Sequence, residues 1–447
     1  MQRARAWRAV TTIVLVAVSP IALAAQAPRD DDAALTALLA QAASTSPRLR
    51  ASAARTAAAR ARIGPAGSRP DPMLMTGLQN FPLFTPGFDD SMTMKMLGLS
   101  QTVLAPGKLR LRRAVAERDA DAVAAIERST KAELIAAVKV AWYDLAFIDT
   151  ALTLTGRQRV VLDGISTLAL TRYNAGAGSQ SDVLTARIDV AKLLDEELRL
   201  RAEREATVAA LNALLDRSSG SAVNGASIPV RLRRAATAGD TNGMLRDSLR
   251  APVGVGRSLF PPLSELQLRA AQTGAMLVAH ESALTAQDAR VALARTEVRP
   301  DFDISLQYGQ RDRLPDMVTV QVAIPLRLQK RTKQAQLLVE AQADLLALNA
   351  EHEQQLSDAN AVVARLLSAA ERARATLALF SATVLPQARA AVDASLASYR
   401  GNTGTMLQVL SAQSALLQYD MTMARTFSDF AKSVAALELV VGSEVLP

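Results

Sequence analysis

The sequence predicts a mainly α-helical chain interrupted by two β-hairpins. Three observations predict it: long heptad-patterned stretches with few helix breakers, two pairs of short alternating segments, and a helix–hairpin–helix order that occurs twice. Hydrophobic residues make up 49% of the chain but aromatics only 4%, and alanine supplies much of the apolar content. Small side chains of this kind favour close-packed helices over a large aromatic core.

Residues 1–24 read as a signal peptide. Arg3, Arg5 and Arg8 precede an apolar run, and Ala22-Leu23-Ala24 offers a small-x-small cleavage site. The run from Ala9 to Val18 is short of the roughly 20 residues a spanning helix needs, so cleavage is expected rather than anchoring. The absence of cysteine excludes a disulfide framework, a thiolate metal site and a lipid-carrying cysteine after the leader. The formal net charge is +8, but three of the cations sit in the leader and the rest are scattered along helices. Nucleic-acid binding, which needs a clustered basic surface with stacking aromatics, finds no support.

Residues 25–216 form a first structural repeat. Asp30–Asp32 can cap a helix that runs to Gly64-Pro65; then come a hairpin over about 71–104, a long helix from about Lys108, a tip turn over about 172–181 and a returning helix. Residues 217–262, rich in Gly, Ser and Pro, form a connector with one short strand expected around Ile228–Leu232. Residues 263–447 repeat the order: helix, hairpin over about 301–326, long helix from about Lys330, tip turn over about 399–405, final helix. The triplet Arg69–Asp71 returns as Arg299–Asp301.

Strand alternation is clean in the second hairpin. Phe302, Ile304, Leu306 and Tyr308 alternate with polar neighbours, as do Val318, Val320, Val322 and Ile324. Such strands suit either a half-buried soluble sheet or strands whose outer face meets lipid, each needing about 10 residues. Along the helices, Leu134, Val138, Ala141, Leu145, Ile148 and Leu152 step by four and three, and Ala359, Val363, Leu366, Ala370, Ala373, Leu377 and Phe380 keep the rhythm. Only Gly156, Gly164 and Pro386 interrupt these rods, and each would extend roughly 100 Å at 1.5 Å per residue.

If the strands cross a membrane, one chain cannot close them. An open sheet edge in lipid leaves amides and carbonyls unpaired at several kcal/mol each, and single-chain bacterial barrels begin at about eight strands. Several copies must share one barrel through head-to-tail contacts that close into a ring. Two copies would give about eight strands and almost no lumen, whereas three would give about twelve and an open pore.

Four stretches, "LSQTVLAPGKLRLRRAVAERDADA", "RYNAGAGSQSDVLTAR", "VQVAIPLRLQKRTKQAQLLVEAQADL" and "SYRGNTGTMLQVLSAQ", in this order and with this duplication, resemble the TolC-like outer membrane efflux proteins over essentially the whole mature chain. The resemblance implies a homotrimer whose β-barrel (four strands per protomer, twelve per trimer) lies in outer membrane lipid and continues as a hollow coiled-coil α-helical barrel across the periplasm. It also implies a passive exit duct fed by a periplasmic adaptor and an inner-membrane pump of RND or ABC type. Type I polypeptide secretion is the neighbouring reading within the family. A periplasmic coiled-coil structural or adaptor protein with soluble hairpins is the reading outside it.

In that family the Tyr-x-x-Gly-x-x-Ser/Thr segments are tip turns where the adaptor docks and the entrance opens. Tyr173, Gly176, Gly178 and Ser179 fit the first copy, with Arg172 before and Asp182 after it. Tyr399 and Thr405 fit the second, but Asn402 takes the usual glycine position, which Asn tolerates through its access to the left-handed region. Gln408 and Ser411 stand where several members carry acidic residues, and Gly404 where an arginine helps hold the gate shut, so no acidic ring is expected at the gate. Asp182 and Tyr399 are candidate partners in the closed state; the competing reading is that both only satisfy turn backbone. Arg172 and the charges near Arg110, Arg112 and Arg113 are candidates for contact with a partner or lipid head groups, with a solvated face as the default reading.

Met92, Met94 and Met96 crowd one face of the first hairpin, and thioethers are soft ligands suited to Cu(I). If Leu97 and Leu99 face lipid as Val320 and Val322 do, Met94 and Met96 face the lumen, which points to copper-type heavy-metal efflux. Met as a flexible apolar filler is the alternative. His280 and His352 each precede a Glu but lack a second His four residues on, so no metalloprotease signature exists, and His352 reads as a polar seam position. No nucleophile–base pair and no full phosphate loop occurs; neither enzyme activity nor a cofactor is expected.

Overall fold

The computed structural model describes residues 30–82, 90–237, 259–312 and 314–446. The signal peptide and residues 238–258 of the connector lie outside the described residues. In chain order the elements are α1 (Asp30–Thr45), α2 (Pro47–Ala61), α3 (Ile63–Ala66), β1 (Met73–Gln79), β2 (Met94–Val103), α4 (Lys108–Asn174), α5 (Gln180–Leu214) and α6 (Val230–Thr237). They continue as α7 (Leu263–Thr273), α8 (Ala275–Thr296), β3 (Phe302–Arg311), β4 (Met317–Ala323), α9 (Ala335–Leu379), α10 (Leu385–Arg400) and α11 (Met406–Val441).

Helix α4, at 67 residues, extends about 100 Å without a break. Its heptad positions Leu134, Val138, Leu145 and Ile148 are buried. Leu134, Val138 and Leu145, together with Trp142, join Leu211 of α5, Val363 and Ala370 of α9, and Phe430 and Val434 of α11 in one core. The Trp142 indole donates to the Ser227 carbonyl at 2.8 Å, tying the connector to the rod. A second apolar cluster, including Leu162, Ile165, Val183, Tyr399, Met406 and Val409, packs the far end of the rods.

Two details depart from the sequence expectation, and the second rod keeps to it. The first helix is not continuous to Gly64-Pro65: it stops at Ser46, because Pro47 has no amide to donate and takes the first position of α2, while Gly64 and Pro65 sit inside α3. The second repeat breaks at the corresponding place, Gly274, between α7 and α8. The strand expected around Ile228–Leu232 is helix α6, because Leu232 and Ala236, one turn apart, are both buried and Arg231 reaches Glu444 at 2.9 Å. Pro386 does not end the second rod, since a π-turn at Phe380–Val384 takes up the lost hydrogen bond just before α10.

The strands form one antiparallel sheet in the order β1-β2-β3-β4, leaving β1 and β4 each with a single partner within the chain. Register places Leu74, Leu99, Leu306 and Val320 in one cross-strand row and Thr76, Leu97, Tyr308 and Val318 in another. These side chains share the face that the sheet leaves uncovered: Leu306 is 54% and Val320 69% exposed, whereas Ser305 on the opposite face is 8% exposed. Apolar-out and polar-in is the reverse of a water-soluble sheet and matches strands facing lipid.

Strand and helix meet at an ion cluster that sequence patterning did not single out. Lys108, the first residue of α4, is 2% exposed, and its Nζ donates to Glu297 Oε2 at 2.8 Å and to Asp301 Oδ2 at 2.9 Å. The Asp301 carboxylate also accepts the Ala105 amide at 2.9 Å. One lysine thus joins the end of β2 to the start of β3, at the point where both hairpins enter the rods. Replacing it by methionine strands two carboxylates, so Lys108→Met should cost about 3 kcal/mol, the low end for a broken buried pair because the carboxylates keep some water. A urea midpoint unchanged from wild type would contradict this.

Candidate functional site

Both rods end in the same backbone device. At the end of α4 the Ala177 amide bonds the Arg172 carbonyl at 2.9 Å and the Gly176 amide bonds the Tyr173 carbonyl at 3.0 Å. At the end of α10 the Thr403 amide bonds the Ser398 carbonyl at 3.0 Å and the Asn402 amide bonds that of Tyr399 at 3.3 Å. This pair of bonds is the Schellman motif, which requires a left-handed residue after the C-cap. Gly176 supplies it at φ +71° and Asn402 at φ +61°. Gly178 and Gly404 then pass so close to the preceding helix that a Cβ would lie 3.1 Å from the Tyr173 amide nitrogen or 2.9 Å from the Ser398 Cβ.

The next helices start immediately. The Ser179 hydroxyl accepts the Ser181 amide at 3.1 Å. Thr405 and Gln408 form a reciprocal capping box, with the Gln408 side chain accepting the Thr405 amide at 3.0 Å. Gln408 is therefore engaged in holding the turn, and Ser411 bonds back to the Gln408 carbonyl at 3.1 Å.

The two tips are joined to one another. The guanidinium of Arg172 lies 4.5 Å above the Tyr399 ring. It donates to the carbonyls of Tyr399 and, at 3.4 Å, Arg400, and at 2.6 Å to Asn402 Oδ1, while its other contact is its own tip at the Ala177 carbonyl, 3.1 Å away. A cation here satisfies orphan carbonyls at the C-terminus of α10, where the helix dipole favours positive charge. Arg172 is thus not the solvated residue its sequence context suggests, and Asn402 is more than a tolerated stand-in for glycine. No sequence periodicity reveals this contact, because it joins residues 230 positions apart.

Tyr399 is buried, at 3% exposure, whereas its counterpart Tyr173 is 44% exposed. The Tyr399 hydroxyl donates to Asp182 Oδ2 over a long 3.3 Å. Burial, and then the Asp182 charge, push the phenol above its ordinary range, so it stays protonated as a donor at neutral pH. Asp182 also lies in the first turn of α5, where a carboxylate is favoured by the dipole.

At the other end of the molecule, Met94 and Met96 lie on the polar face of β2, opposite Leu97 and Leu99, as the sequence register anticipates. Their sulfurs converge over Gly309, at 3.1 Å and 3.0 Å from where its Cβ would be. Met317, the β4 partner of Gly309, extends the same row. Met92 precedes the strand and sits in a turn, its amide bonded to Asp90 at 2.8 Å, so it leaves the group. His280 and His352, read separately in the sequence, stack with ring centroids 5.7 Å apart. Among the described residues no group of three or more His, Cys, Asp or Glu side chains is placed to hold a metal.

The family model described as outer membrane efflux protein matches residues 38–217. A search of curated proteins finds no match. Among solved structures, the outer-membrane channel OprN aligns with a TM-score of 0.75 at 20% identity, covering 92% of this chain and 91% of that one. VceC, an outer membrane protein of Vibrio cholerae, aligns at 0.72 and 20% identity over 92% and 96% of the two chains. CusC aligns at 0.74 and 15% identity over 92% of each. At these identities the likeness establishes the fold. Arg172→Ala should release the α10 end, raising amide exchange over Tyr399–Thr405 by about tenfold or more for the loss of several charge-assisted bonds; exchange equal to wild type would refute the bridging role.

Proposed function

We infer that this chain is an outer membrane efflux protein, a subunit of a gated exit duct. Three copies, paired edge to edge through β1 and β4, close a twelve-stranded barrel in the outer membrane, and their rods continue the lumen into the periplasm. The observation that carries the reading is the sheet itself, with its apolar face uncovered and both edges unpaired among the described residues. A periplasmic adaptor or structural coiled coil would have to cover that face. Cargo is delivered by an inner-membrane pump of RND or ABC type through an adaptor docked at the tips around Tyr173, Gly176 and Gly404, and the duct performs no chemistry on it.

The closed state is held where Arg172, Asp182, Tyr399 and Asn402 lock neighbouring tips. Asp182→Ala removes one long hydrogen bond worth about 1 kcal/mol. In planar bilayers it should raise single-channel conductance and shorten closed dwell times about fivefold for that energy; unchanged conductance and dwell times would count against the gate.

One observation favours a metal cargo. The converging sulfurs of Met94 and Met96 on the lumen face offer a soft site of the kind Cu(I) prefers. With Ag(I) as the probe, the purified protein should bind about one ion per chain, and Met94→Leu/Met96→Leu, which keeps volume and apolarity, should abolish this. Equal Ag(I) uptake by both proteins would remove the metal reading and leave the duct standing.

A further inference from the structure

The outward alternation of β4 does not stop where its hydrogen-bonded ladder ends at Ala323. Ile324 is 59%, Leu326 84% and Leu328 91% exposed, so the uncovered apolar band continues down the chain and ends in the most exposed large hydrophobics among the described residues. From Val318 to Leu326 is roughly 27 Å of extended chain at about 3.4 Å per residue. Tilted near 40°, as barrel strands are, that is about 20 Å along the axis, close to the apolar band of about 25 Å that such barrels present. Leu326 therefore lies at the helix-side rim of the hydrocarbon layer.

Directly after this rim come Lys330, Arg331 and Lys333, in the π-turn Lys330–Gln334 that leads into α9. All three are exposed, and the first acidic residue that follows in the sequence is Glu340. None has a carboxylate within ion-pairing distance among the described residues, in contrast to Arg327, which is turned inward onto the Glu297 and Arg299 carbonyls. The first repeat places Arg110, exposed and likewise unpaired, two residues after the buried Lys108 at the corresponding strand-to-helix junction. Arg113, one turn on, is taken by Glu117 at 2.8 Å.

We propose that Lys330, Arg331 and Lys333, with Arg110, form a cationic belt that binds the headgroups of anionic glycerophospholipids at the helix-side rim of the barrel. Leucines that enter the hydrocarbon beside unpaired cations at headgroup depth match an amphiphile with apolar chains and a negative phosphate, and each cation near such a surface strengthens binding. The alternation that makes the band also fixes the depth of the belt. The inference rests on the barrel reading above.

The test is native mass spectrometry of the detergent-extracted oligomer titrated with phosphatidylglycerol, phosphatidylcholine or inorganic phosphate. Wild-type protein and Lys330→Gln/Arg331→Gln/Lys333→Gln are compared, with Arg365→Gln, an exposed cation on α9 away from the rim, as control. Phosphatidylglycerol should bind wild type and the control at least tenfold more tightly than phosphatidylcholine does, and the triple variant should lose that preference. Equal binding of the two lipids, or full retention by the triple variant, with the oligomer intact, overturns the belt and leaves the barrel standing. Competition by phosphate alone at matched concentration would show a simple anion site and overturn the lipid assignment. Dissociation of the triple variant in lipid-free detergent would assign the cations to contacts between protomers, which also overturns it. If wild type itself runs as a single chain, the barrel reading has failed rather than the belt.

Discussion

A four-stranded sheet with two unpaired edges and an apolar outer face cannot stand alone in either water or lipid. In water the uncovered face of Leu97, Leu99, Leu306, Val318 and Val320 is a cost; in lipid the edges of β1 and β4 are. In the proposed trimer, closure pairs the edges and lipid covers the outer face, and much else in the chain fits that arrangement. The rods must leave the barrel in a fixed direction, so the junction is clamped by buried Lys108 between Glu297 and Asp301. The 67 residues of α4 carry the chain about 100 Å from the sheet.

Duplication supplies the rest of the design, and divergence between the copies supplies the contacts that join the two tips. Both tips use the same Schellman turn, glycine approach and hydroxyl cap, so the backbone of each is set by local bonds. The differences lie in side chains. Arg172 has Ser398 as its counterpart, Gly176 has Asn402, Asp182 has Gln408, and each difference contributes to or permits a contact running from one tip to the other. The buried Tyr399 is the pivot, stacked under Arg172 and bonded to Asp182, while Tyr173 stays exposed. Two tips with identical side chains would lack this complementary pairing of cation and acceptor.

Much of this was legible in the sequence because it depends on local period. The alternation of Ile304, Leu306 and Tyr308, the heptads around Leu145 and Val363, and the shared face of Met94 and Met96, opposite Leu97 and Leu99, each follow from residue spacing alone. What escaped depends on contacts between distant segments or on competing local signals. Ile228–Leu232 alternates like a strand, but Leu232 and Ala236 bury one helical face. Pro47 ends a helix that the alanine-rich composition would continue. Lys108 and Arg172 carry no periodic signature; their roles exist only once strands and tips have been brought together.

The number of chains in the intact particle tests the central claim most directly. Native mass measurement of protein extracted from membranes in mild detergent should give three chains per particle, since twelve strands leave an open lumen and eight do not. A stable single chain with the β1 and β4 amides satisfied internally would contradict the account.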